Sequence, residues 1–66
     1  MIKVGDILYV QKGKMGSEYN GMPVIICEVN EFDYPSYEGR YQIPGHARHA
    51  AWYLSQTDIN YYLETR

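Results

Sequence analysis

The sequence predicts an all-β fold, a small five-stranded barrel with a short 3₁₀ turn before the last strand. Three observations predict it. Short runs of β-branched and aromatic residues are separated by clusters of Gly, Pro, Asn and Ser, the usual punctuation between strands. No stretch holds apolar residues at a sustained period of 3.6, so no long amphipathic helix is expected. The 66 residues suffice for a single domain, 1–66, and not for two.

The elements follow in order. Asp6–Gln11 reads as the first strand, with Leu8 and Val10 on one face and Ile7 and Tyr9 on the other. Lys12–Gly21 carries three glycines and an Asn-Gly pair, which mark an irregular loop. Loops of this length in compact domains are usually functional or mobile. Met22–Val29 is the strongest strand, with Pro23 confined to its beginning or to an edge. Both of its faces are apolar, which leaves its register open. Asn30–Gly39 reads as a second loop or splayed hairpin tip, and Arg40–Ile43 as a short third strand broken by Pro44-Gly45. A turn over His46–Arg48 leads to a fourth strand, Ala50–Leu54. Ser55–Asp58 has the polar character of a tight turn, and Ile59–Leu63 is the final strand. Closing these strands into a barrel would remove aggregation-prone edges. The expected core is Val4, Leu8, Val10, Val24, Ile26, Val29, Ile43, Trp52, Leu54 and Ile59.

Composition narrows the setting. Cys27 is the only cysteine, so the chain forms no internal disulfide; its apolar neighbours suggest a small buried hydrophobe in a reducing, cytoplasmic compartment. No apolar run approaches the length of a membrane span, and the N-terminus turns polar too early for a signal peptide. Eight tyrosines, one tryptophan and one phenylalanine are too many rings for so small a core, and exposed aromatics are common at contact sites. Net charge is −2, but its distribution is uneven. Residues 18–38 hold Glu18, Glu28, Glu31, Asp33 and Glu38 without a single Lys or Arg.

Val4-Gly5-Asp6 followed by alternating Leu8 and Val10 resembles the opening of an SH3-like barrel. The glycine-rich loop with Asn20-Gly21 leading into Val24–Val29 resembles the KOW-type version of that fold. Trp52-Tyr53-Leu54-Ser55-Gln56-Thr57-Asp58-Ile59 resembles the family's fourth strand, 3₁₀ turn and fifth strand. The resemblance implies binding of peptides, proteins or nucleic acid through loops and an aromatic surface. Fold alone does not select among these. KOW domains that bind nucleic acid tend to be basic, and this chain departs from that pattern. The compact, tyrosine-rich chain also resembles small accessory proteins of bacteriophages, which implies a role in modifying a host or defence protein by binding it.

No catalytic or metal constellation emerges. Zinc needs three or four N, S or O ligands, and only Cys27, His46 and His49 are obvious soft donors. A Cys27–His pair would place its thiol mid-strand, where burial blunts it. We therefore expect no enzyme activity and no cofactor. Three functions remain. The first is a protein-binding module acting through Phe32, Asp33, Tyr34, Tyr37 and Glu38, where aromatic anchors beside carboxylates suit a partner with a basic surface. The second is nucleic-acid binding, with Lys12, Lys14, Arg40 and Arg48 on phosphates and Tyr19, Tyr9, Tyr41 or Trp52 stacking on bases. The third is an assembly role through homo-oligomers. Net charge favours the first over the second.

Overall fold

A computed structural model describes residues 1–66. Its strands are β1 Ile7–Val10, β2 Pro23–Asn30, β3 Ser36–Gln42, β4 His49–Ser55 and β5 Leu63–Glu64. A 3₁₀ turn, Ser17–Tyr19, lies between β1 and β2, and a helix, α1 Gln56–Tyr62, between β4 and β5. The strands form one antiparallel sheet in the order β4-β3-β2-β1-β5. This small all-β sheet curls into a half-barrel, consistent with an SH3-like barrel. β4 and β5 are its two ends, so the curl stops short of hydrogen-bonded closure.

The concave face carries the core. Leu8 and Val10 alternate inward from β1, Val24 and Ile26 from β2, Leu54 from β4, and Ile59 and Leu63 from the last helix and strand. Tyr37 completes the cluster from β3. The register between β2 and β3 slips at Cys27, where Ile26 faces Gly39 and Glu28 faces Glu38. This bulge changes the spacing of inward residues from two to three, so that Val29 follows Ile26 on the inner side.

Turn chemistry sets the ends of the strands. Lys3–Asp6 closes on an Asp6 N to Lys3 O bond of 3.1 Å, with Gly5 at φ +94° in the third position. Ile43–His46 closes in the same way, with Pro44 second and Gly45 at φ +77° third. Both positions demand the positive φ that glycine supplies without strain.

Several expectations need correction. β3 begins at Ser36 rather than Arg40, because pairing with β2 on one side and β4 on the other holds Ser36–Gly39 extended despite weak strand propensity. The helical turn before the last strand runs on as the seven-residue α1, and the final strand shortens to Leu63–Glu64. Val4 is 62% exposed because it sits at the tip of the Lys3–Asp6 turn. Ile43 lies in the turn beyond β3 and is only half-buried. Val29 and Trp52 pack against the core without being enclosed by it. Cys27 is exposed, because the bulge turns both it and Glu28 to the convex side.

Candidate functional site

The β2–β3 connection, residues 31–35, presents the largest uncovered rings of the molecule. Phe32 is 82% exposed and Tyr34 89%. The side-chain oxygen of Asn30 accepts a bond from the Phe32 N–H at 3.2 Å, turning the chain as β2 ends. Pro35 then precedes β3. Glu31 and Asp33 flank Phe32, and neither carboxylate is in an ion pair, since the single salt bridge of the chain joins Arg40 to Glu38. The tip is therefore two apolar rings interleaved with two free negative charges.

The five residues expected to form this patch divide. Phe32, Asp33 and Tyr34 stand together on the loop. Tyr37 does not join them. Its ring is buried in the core and its hydroxyl makes a 2.6 Å hydrogen bond with the side-chain oxygen of Gln56. Glu38 points to the convex face, where its carboxylate accepts from Arg40 Nε at 3.1 Å and from the Cys27 thiol at 3.3 Å. The thiol bond, then the neighbouring guanidinium, hold Glu38 below the usual carboxylate range. Alternation along β3 separates the pair, since residues 37 and 38 must face opposite sides of the sheet. A shallow groove of about 400 Å³ runs beside them, lined by Glu28, Asn30, Ser36, Glu38 and Tyr53 among others.

The basic set comes from separate elements. Lys12 and Lys14 lie in the β1–β2 loop, Arg48 in the β3–β4 turn, and Arg40 on the convex face in its ion pair with Glu38. Lys14 places its ammonium 4.0 Å from the centre of the Tyr61 ring. Tyr19 is half-buried and packs edge-on against Tyr41 with ring centres 6.1 Å apart. Lys14 and Tyr19 thus both lie against aromatic rings, whereas Arg40 is engaged by Glu38.

One feature was not anticipated. Tyr19, Tyr41, Trp52, Tyr62 and Tyr61 form a continuous row of ring contacts, with centres 4.9 to 6.1 Å apart. Such tilted and edge-on contacts are favourable beyond the area they bury. The row extends the concave face past the aliphatic core and borders a cleft of about 550 Å³ with Lys14, Met15 and Asp58 at its rim. Alternation on β3 and β4 alone would have put Tyr41 and Trp52 on one side; Tyr62 joins them only because residues 56–62 are helical. His46 and His49 are exposed, and no three His, Cys, Asp or Glu side chains converge. No helix is long and apolar enough to cross a membrane. Comparison with protein-family models, with curated proteins and with solved structures finds no match to this chain.

Proposed function

We propose that the chain is a non-catalytic protein-binding module that engages its partner through the β2–β3 loop. The carrying observation is the near-complete exposure of Phe32 and Tyr34 on one short turn. Neither ring packs into the core, and solvent exposure of large apolar groups is unfavourable for the free protein. Aromatic anchors of this kind are the residues that dominate protein interfaces once they enter a pocket. The unpaired Glu31 and Asp33 beside them favour a partner with basic residues around that pocket. A KOW-type nucleic-acid role finds less support, because Arg40 is tied to Glu38 and Lys14 to a tyrosine face. The proposed setting is the cytoplasm, and the narrower form of the proposal is a bacteriophage-type inhibitor or modulator of a host or defence protein.

The test is affinity capture from bacterial lysate, with and without nuclease, using the wild-type chain and the double variant Phe32→Ala/Tyr34→Ala. A stoichiometric protein that survives nuclease and falls at least about tenfold with the variant is expected; loss of two interface anchors of roughly 1–2 kcal/mol each predicts at least that. Capture unaffected by the variant would remove the loop from the account. Material lost with nuclease would favour the nucleic-acid role. Glu38 is a poor choice for charge reversal, since a lysine there would face Arg40; Glu31 and Asp33 are the informative positions.

A further inference from the structure

The sheet has one long uncovered edge. β4 spans seven residues, His49–Ser55, and pairs only with β3. It contains no Lys, Asp, Glu or Pro and no bulge, the devices that usually blunt an edge. The direction of its backbone groups follows from one hydrogen bond. The Ile43 N–H donates to the Arg48 carbonyl at 2.9 Å, making that pair a hydrogen-bonded one. Antiparallel ladders alternate. Ala50, Trp52 and Leu54 therefore bond inward to β3, and His49, Ala51, Tyr53 and Ser55 turn their N–H and C=O groups outward. The Ser55 N–H is already satisfied by the Asp58 carboxylate at 3.0 Å. The backbone groups of His49, Ala51 and Tyr53 remain open, and all three residues are exposed.

We infer that β4 pairs antiparallel with the β4 of a second copy of this chain, on a two-fold axis at Ala51. Only this register uses all three open residues of both copies. It sets His49 opposite Tyr53 of the copy, and Ala51 opposite its own equivalent. Shifting the centre to residue 50 strands Tyr53, and shifting it to 52 sets His49 against the capped Ser55. The side chains agree with the same register. On the convex face a small alanine sits on the axis, flanked by two His–Tyr pairs. On the concave face each Trp52 meets the small Ala50 of the copy, so bulk faces space on both sides of the sheet. No pair sets like charges opposite each other, which the uncharged strand permits and a two-fold axis otherwise makes difficult. The product is a continuous ten-stranded sheet built from two half-barrels. A single strand from each copy buries less than the roughly 1,200 Å² of a standard interface, in the range of weak, transient contacts, so the dimer should form only at high protein concentration.

Sedimentation velocity from micromolar to millimolar protein tests this. The wild-type chain is expected to shift from monomer to dimer across that range. Ala51→Lys and Ala51→Glu each place two like charges face to face on the axis and should raise the dissociation constant at least tenfold. An equimolar mixture of the two variants should dimerise again, a rescue that a folding defect cannot produce. In parallel, amide exchange at His49, Ala51 and Tyr53 of the wild-type chain should slow as concentration rises. A wild-type chain that stays monomeric at millimolar concentration, a dimer that survives Ala51→Lys, or exchange at these amides independent of concentration would each overturn the inference.

Discussion

At position 39 a hydrogen atom is all that the core admits. Gly39 is buried on the concave side of β3, and a Cβ built there would stand 2.6 Å from Cγ1 of Val24 and 3.7 Å from Cδ1 of Leu54. Val24 is fully enclosed, so it has no free direction in which to yield. Overpacking of this kind costs about 1–3 kcal/mol. Gly39→Ala should therefore lower the free energy of unfolding, read from urea titration, by that amount without changing the fold. The diagnostic is a cycle with Val24→Ala, since residues in direct contact couple. Removing the two γ-methyl groups makes room for the new one, and the double variant should be less destabilised than the sum of the singles. Strict additivity would mean that the two positions do not meet. The same strand shows why single residues were partly illegible. Tyr37 looks like an interface tyrosine beside acids, and only the parity of its position relative to Gly39 and Tyr41 turns it inward. Cys27 looks buried among Ile25, Ile26 and Val29, and a one-residue bulge turns it out. In a strand, a slip of one residue exchanges the faces.

At the scale of elements, α1 depends on its first turn. Ser55 is extended, with φ −82° and ψ 171°, and its hydroxyl accepts the Asp58 N–H at 3.1 Å while the Asp58 carboxylate accepts the Ser55 N–H at 3.0 Å. This reciprocal box satisfies two otherwise unpaired donors and places a negative charge at the helix N-terminus. A seven-residue helix is too short to persist on propensity alone. Its hold on the sheet comes from Ile59 and Leu63, four residues apart on one side, and from the Gln11 N–H donating to the Tyr62 carbonyl at 2.8 Å. Ser55→Ala should cost about 1 kcal/mol. In a domain of this size that lowers the melting temperature by roughly 4–8 °C. Ser55→Thr keeps the acceptor and should recover most of the loss; a threonine variant as labile as the alanine variant would show that the cap is not the cause. The spacing of Ser55 and Asp58 was legible as a turn. Its continuation as a helix was not, because seven residues hold too few apolar positions to establish a 3.6 period. β1, β2 and β4 were legible from their β-branched and aromatic runs, whereas the first half of β3 was hidden by Pro35, Ser36 and Gly39. Of the candidate interface, the acid–aromatic composition of residues 31–34 was legible, but whether its rings are exposed depends on which face of β3 follows them.

For the whole molecule, everything rests on one small core. Eight side chains fill it, drawn from all five strands and α1, and there is no disulfide or second core to share the load. Domains of this size are typically stable by only about 3–5 kcal/mol. A substitution that opens a cavity at the centre should therefore unfold the chain outright, whereas one on the convex side should pass almost unnoticed. β2 offers both cases at adjacent positions. Ile26 is completely buried, and Ile25 is 49% exposed and paired across the sheet with Ile7 and Arg40. Truncating a buried isoleucine to alanine costs about 2–5 kcal/mol, which is comparable to the whole margin. Ile26→Ala should have little or no folded baseline in urea at 25 °C, followed by circular dichroism and by the fluorescence of Trp52. Ile25→Ala loses only partly exposed methyl groups, and its free energy of unfolding should stay within about 1 kcal/mol of wild type. The contrast also measures the curl of the sheet. In a fold with both faces of β2 enclosed, the two variants would be equally damaging. In a half-barrel with one concave core, only the residue facing inward can be indispensable.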